Sequence, residues 1–595
     1  MFRRFPLLEQ ALVVLLAFAA ELYQDGRIIL DPYVLESDAR LHEYWMRRFQ
    51  DPELFQDPLT EALLDTAYIP YGFRAINWVG SFLFDPVVFA EAMPLVLAPL
   101  TALLCFRIVR EHTSWWPAAW LGTALLLLAW DMHRFTGGHQ RAYGPPVLLL
   151  TVYLLLRRRD VGAGVVPPLA TLVYPSAAAV ALGTIALSAL QPGSDRRVDV
   201  RRAVVAGVSA VGAALALYIP FLFKGGVPEI ISRSVAERYP DFGPNTDVHL
   251  FGIPTLDYLS QRASGFGLAR SGSILVVAAL VFFLLRPRNV RLLRRELWSM
   301  LASSLILFGL GHALLFRLYL PHRYAYAIVP FCAIFVAVSW QPTWEWLTIR
   351  LRRPWVAAVA GAAAAVLVGW TAIMLFPLGL RLPWSEVVDM FSEEGWYYAA
   401  ALATGLVLVA VAWRRSAAWV AASAVAAALL VGQVALAGGD RIHGLKCGRM
   451  DTLLHLRTIP KDAIVAGNPV VLDCLPFVSK RAVVMNEKLF QVWEVDFWQE
   501  GRRRMFDSIE AYYGDSLDSV LELRRKYGAD YMVVERRPLR QHWPNTEPFT
   551  TEVFRLMETV PEPAVRRLPR ECRTWGGNLD VVYDLACVEE RSGGP

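Results

Sequence analysis

Blocks of about 15 to 22 apolar residues recur through positions 1–437 of this chain, the length of helix that crosses a hydrocarbon core of roughly 30 Å at 1.5 Å per residue. No single soluble core accommodates so many of them. Charged residues make up only 19% of the 595, against roughly 25% in an ordinary soluble domain. The pattern therefore predicts a polytopic α-helical membrane protein. Spans are expected near residues 8–24, 87–106, 115–131, 143–156, 162–175, 176–190, 203–223, 271–285, 297–316, 324–340, 355–376, 396–413 and 417–437, about thirteen in all. The 40 Gly and 37 Pro, many inside these blocks, argue against a uniform bundle, because breaks at lipid depth survive only inside protein or beside water. Arg3 and Arg4 before the first block resemble the start of a signal peptide, but Glu9 interrupts the run, so it is read as the first span.

The net charge of +5 is topological and implies no nucleic-acid partner. Arginines cluster at every second loop: Arg3 and Arg4, Arg107 and Arg110, residues 157–159, 196–202, 286–295 and 350–353, then Arg414 and Arg415. Positive-inside places these clusters and the N-terminus in the cytoplasm, and the other loops outside with everything after about residue 438. Residues 157–159 and 196–202 must then share a side. About 35 helical residues between them reach roughly 52 Å, short of the roughly 60 Å of two full crossings, so residues 162–190 are expected to form a pair of short or re-entrant helices turning at Tyr174-Pro175-Ser176.

The division expected is a membrane domain over residues 1–437, including a long outer loop at 24–86, and an extracytoplasmic α/β domain over 438–595. In the loop, Ser37 is placed to cap a helix from Asp38 to about Phe49 lying along the membrane interface, with Tyr44 and Trp45 as aromatic anchors. In the C-terminal part, strands are expected at 463–466, 481–485 and 531–535, and helices at 450–457, 498–513 and 517–527. Cys447, Cys474, Cys572 and Cys587 fall there, and an oxidising exterior makes Cys572 with Cys587 a plausible staple. No zinc-type Cys/His spacing is present.

Three outward-facing stretches combine titratable groups with a position beside the bilayer. Glu36 and Asp38, followed by His42 and Glu43, offer a general base toward an acceptor hydroxyl or oxygen ligands for a divalent cation, or else only an acidic turn at a helix start. The stretch from Asp131 through His133, Arg134, His139 and Arg141 offers basic groups to a phosphate, with Gly137-Gly138 as a flexible hinge, unless its arginines simply snorkel. His322 and Arg323, beside Tyr324 and Tyr326, suit a lipid-linked phosphate, although an aromatic belt accounts for the tyrosines equally well. The long loop from 224 to 270 is placed to act as a lid or is merely a connector.

The motifs "ESDARLHEYW", "GGHQRAYGPPVLLL", "LVYPSAA" and "LPHRYAYAIVP" resemble those of the GT-C membrane glycosyltransferases, which use polyprenyl-phosphate-linked sugars. That resemblance implies a bacterial inner-membrane enzyme moving a sugar from such a donor to a glycan, lipid or protein acceptor. It gives Asp38 the role of base or metal ligand, with Glu36 beside it. On the mechanism expected from these residues, Arg323 and Arg141, with His322 or His139, neutralise charge on the leaving donor phosphate. A divalent cation, Mg or Mn, would take Asp38 and Asp131. The WWDYG-type motif of oligosaccharyltransferases is absent, and so is a clear DxD in the second outer loop. Two other classes fit the same composition: a lipid-linked sugar transporter, and a non-catalytic envelope-assembly protein. No internal repeat is visible, and the acids cluster outside the midplane, unlike a transporter built on inverted repeats.

Overall fold

The computed structural model describes residues 6–66, 68–129, 135–190, 198–222, 226–243, 246, 270–351, 445–536 and 547–592. The expected spans at 355–376, 396–413 and 417–437, Asp131, and most of the proposed lid lie outside the described residues.

Each of the first ten expected spans falls on a helix. These are α1 (Pro6–Leu30), α2 (Pro94–His112), α3 (Trp116–Ala129), α4 (Gly144–Leu156), α5 (Asp160–Thr171), α6 (Pro175–Ala189), α7 (Val200–Leu222), α8 (Arg270–Leu285), α9 (Arg295–Ala313) and α10 (Ile328–Leu351). Four helical stretches are long and apolar enough to cross a membrane by themselves: Leu7–Leu30, Pro86–His112, Val200–Leu222 and Pro321–Trp346. Helices α5 and α6 are short, and they meet at Tyr174, immediately before Pro175 starts α6. Proline suits that first turn because its missing N–H has no helical partner there. The bundle core joins Ala102 and Val109 of α2, Leu149 and Val152 of α4, Val180 of α6, Leu297 of α9 and Phe335 of α10.

One polar knot organises an end of this bundle. Arg202, fully buried, donates from Nε to Asp160 Oδ1 at 2.9 Å, from Nη1 to Glu296 Oε1 at 2.9 Å and from Nη2 to the Leu155 carbonyl at 3.1 Å. It ties the starts of α5, α7 and α9 to the end of α4. A buried guanidinium is tolerated only when its donors are satisfied in this way.

The outer loop departs from the expected surface helix. Residues 38–49 break into an α-turn, Ala39–His42, and a 3-10 stretch, Tyr44–Phe49, at Glu43. Ser37 does not cap; its Oγ accepts from Arg40 Nη2 at 3.0 Å. Tyr44 and Trp45 are 1% and 2% exposed, core residues instead of interface anchors. The reason is packing, since Tyr44, Trp45, Met46 and Phe55 share one apolar core with Phe242, Phe316 and the C-terminal Val465, Met505 and Val533.

The C-terminal part builds a five-stranded sheet in the order β4-β3-β5-β7-β6, with β3 Ile464–Gly467, β4 Ala482–Val483, β5 Ala529–Glu535, β6 Arg573–Gly576 and β7 Asp580–Asp584. Strand β3 is parallel to β4 and β5; the β7 and β6 pairings are antiparallel. The helices at Val495–Tyr513 and Leu517–Tyr527 supply the crossover that a parallel pair needs. The expected strand at 481–485 shrinks to two residues at the sheet edge, and β6 and β7 were not expected. Cys572 pairs with Cys587, and Cys447 with Cys474. A second small ladder joins the two halves of the chain: β1 Val34–Leu35 runs antiparallel to β2 Leu445–Lys446, directly before Glu36.

Burial of Trp45 gives a measurable outcome. Trp45→Ala should cost about 3–5 kcal/mol of stability, read as a lowered thermal midpoint of the purified protein in detergent. A surface anchor would cost within about 0.5 kcal/mol.

Candidate functional site

Glu36 and Asp38 are fixed by three parts of the chain. The β1–β2 ladder holds the backbone just ahead of them, and Arg40, two residues on, donates to the Asp473 carboxylate next to Cys474. The third part is the loop after α3. Gly137 and Gly138 adopt φ of +75° and +60°, a region that favours glycine. A Cβ on Gly138 would sit 1.8 Å from the Ala90 carbonyl oxygen. What reads as a flexible hinge is a tight left-handed turn that drives His139 and Arg141 onto the acidic pair.

The resulting contacts are short and buried. Arg141 donates from Nη1 to Asp38 Oδ2 at 2.5 Å and from Nη2 to Glu36 Oε1 at 3.1 Å. His139 Nε2 lies 2.7 Å from Glu36 Oε2, and its Nδ1 lies 3.0 Å from Glu43 Oε1. Lys488, from the C-terminal part, brings Nζ to 3.5 Å from Asp38 Oδ1. Side-chain exposure separates the two acids, at 3% for Glu36 and 30% for Asp38, which leaves Asp38 the more accessible. His42 stacks on Tyr68 with ring centroids 5.1 Å apart.

Charge states follow from these neighbours. Burial pushes the Glu36 carboxyl up, but Arg141 and His139 outweigh it and hold it at about 2, despite repulsion from Asp38. Burial likewise opposes ionisation of Asp38, and Arg141, then Lys488, hold it well below the usual carboxylate range. For His139, burial works against the imidazolium, yet Glu36 and Glu43 raise it to about 9. Burial, with repulsion from His139, keeps His42 well below its ordinary value and therefore neutral. The site at neutral pH is an ionised pair of acids under a guanidinium and an imidazolium.

Arg323 stands beside this group. Its Nη1 donates to the Tyr326 hydroxyl at 3.0 Å, while its buried Nε has no hydrogen-bond partner among the described residues. The phenols of Tyr326, Tyr174, Tyr319 and Tyr68 surround it electrostatically, and Arg141 feels both Arg323 and Tyr326. Tyr324 and Tyr326 are each 5% exposed, members of the bundle core and not a belt at the lipid boundary. The structure thus brings Glu36, Asp38, His139 and Arg141 into direct contact, with Arg323 close by; His322 is partly buried on the same turn. Sequence reasoning missed Lys488 and the bracing Asp473, which lie in short segments with no local motif.

Glu36, Asp38 and His139 each offer a ligand atom, and these lie within 4.8 Å of one another, the donor chemistry of a divalent-cation site. Arg141 already spans both carboxylates, and His139 carries its own proton at neutral pH. A divalent cation held by these three residues would have to displace the Arg141 guanidinium and the His139 proton.

No family model and no curated protein matches the chain. Among solved structures, ArnT from Cupriavidus metallidurans in the apo state matches with a TM-score of 0.51 and 16% identity, over 98% of this chain and 99% of that one. The Archaeoglobus fulgidus oligosaccharyltransferase in the apo form gives a TM-score of 0.46 and 12% identity, over 88% and 69%.

The His139 pairing has a stability signature. Because its folded pKa is raised from 6.5 to about 9, its contribution is complete below pH 6.5 and is lost as pH rises through 9. Glu36, lowered from 4.5 to about 2, contributes fully above pH 4.5 and loses that contribution as pH falls through 2. Thermal midpoints of wild type should therefore fall between pH 6.5 and 9.5, and His139→Gln should remove that part of the slope. In its overall fold, the chain is similar to the ArnT structure.

Proposed function

We propose that this protein is a GT-C glycosyltransferase that moves a sugar from a polyprenyl-phosphate-linked donor to an acceptor hydroxyl, with inversion, on the outer face of a bacterial inner membrane. The observation that carries the reading is a partly exposed, ionised Asp38 set beside two cationic side chains, Arg141 and Lys488, with Arg323 near Arg141, on this fold. A base alone would serve many reactions. A base next to a cluster of cationic side chains suits displacement of a phosphate leaving group.

On this reading the acceptor oxygen forms the new bond at the anomeric carbon, opposite the phosphate. The carbon–oxygen bond to phosphate breaks with its electron pair, and the hydroxyl proton passes to Asp38. A carboxylate held this acidic is a poor base toward a free alcohol. It accepts the proton late, once bond formation has made the hydroxyl strongly acidic. Arg323 binds the leaving phosphate with a forked donor set, and Arg141 and Lys488 add positive charge where negative charge grows. Glu36 holds Arg141 in place. No step passes through a metal ion. The basic loops, including the Arg202 knot, lie on the cytoplasmic side in this arrangement, and the C-terminal sheet covers the acidic site from outside, where it meets the acceptor.

Release of polyprenyl phosphate from lipid-phosphate sugars by the purified protein tests the proposal. Asp38→Asn should lower the rate roughly 10²–10⁴-fold with the thermal midpoint little changed. Full transfer by a folded Asp38→Asn protein removes Asp38 from the reaction, and no release from any such donor removes the transferase reading.

A further inference from the structure

At the end of the bundle away from Glu36 and Asp38, a cleft of about 340 Å³ opens between the start of α1 and the ends of α2 and α4. Its polar lining is Glu9, Gln10, Arg107, Arg110, Glu111 and Arg157, with Phe106 and Tyr153 beside them. Their pairing is uneven. Arg157 donates to Glu111 at 2.9 Å and is largely neutralised. Arg107 donates from Nε and Nη2 to Gln10 Oε1, at 3.0 and 2.5 Å, and rests over the Tyr153 ring with 5.9 Å to its centroid. Arg110 reaches only a backbone carbonyl, that of Ser114, at 3.3 Å. Among the described residues, neither Arg107 nor Arg110 has a carboxylate partner. The neutral amide of Gln10 fixes the Arg107 fork while leaving its charge unspent.

We propose that this cleft binds the phosphate of an anionic phospholipid headgroup. Two guanidinium groups without counterions converge on one recess, and their planar donor sets match phosphate oxygens. The recess is also continuous with lipid-facing surface, since Leu7, Leu8 and Leu15 of α1 are strongly exposed beside it. Acyl chains lie along those leucines while the headgroup enters between the arginines, as in basic pockets between membrane helices. Two carboxylates line the same recess: Glu111 is taken up by Arg157, while Glu9 limits the affinity. The site is separate from the acidic centre and does not depend on the reaction assigned there.

Native mass spectrometry of the full chain in detergent tests this with phosphatidylglycerol and phosphatidylcholine of identical acyl chains, and with inorganic phosphate as competitor. Phosphatidylglycerol should be retained over phosphatidylcholine, and the double change Arg107→Gln with Arg110→Gln should cut that retention roughly tenfold or more. Glu9→Gln should raise retention, a gain that a misfolded variant would not show. Equal retention of the two lipids, or no response to either variant, overturns the proposal. Displacement of phosphatidylglycerol by millimolar phosphate would identify a free-phosphate site and overturn the lipid assignment.

Discussion

Two carboxylates two residues apart on a buried turn repel each other, and the guanidinium of Arg141 is what lets Glu36 and Asp38 coexist as anions. Removing charges from water costs several kcal/mol per ion unless geometry and further hydrogen bonds return it. Here the return comes from several sides: Arg141 across both acids, His139 on the free oxygen of Glu36, and Lys488 near the free oxygen of Asp38. The glycine turn at 137–138, the β1–β2 ladder and the Arg40 contact to Asp473 all bring these charges into register.

A second buried cation, Arg202, anchors the opposite end by the same rule, with Asp160 and Glu296 as partners. Between these polar ends the described helices meet mainly through apolar contact, with isolated side-chain hydrogen bonds such as Ser303 Oγ to the Val180 carbonyl at 2.9 Å. The two knots set the axial positions of α4, α5, α7 and α9 relative to the loop that carries the acids.

The sequence was most legible where physics is periodic. Apolar block length located the first ten helices, and the prolines before α6 marked the turn between two short helices. Residue chemistry picked out Glu36, Asp38, His139, Arg141 and Arg323 as candidates because charge beside a bilayer is costly and so informative. The outer loop was misread because amphipathic spacing records only that one face is apolar, not what covers it. Tyr44 and Trp45 face the C-terminal core, where the pattern alone admits a bilayer surface. The hairpin of β6 and β7 was missed although Gly577 and Asn578 between short β-branched and aromatic runs are turn signals. Lys488 had no signal of its own, because it acts through a contact that only the folded chain creates.

The β1–β2 ladder joins residues 34–35 to residues 445–446, and the Cys447–Cys474 bond and Asp473 follow immediately on the later strand. A ribosome makes the acidic loop early and its braces only after the whole helical region. The growing chain thus carries Glu36 and Asp38 without their strand partner, their disulfide-tethered support or Lys488 until the last quarter is made. A copy that stops before residue 445 therefore holds the acidic pair with Arg141 and His139 but lacks the β2 partner strand, Asp473 and Lys488.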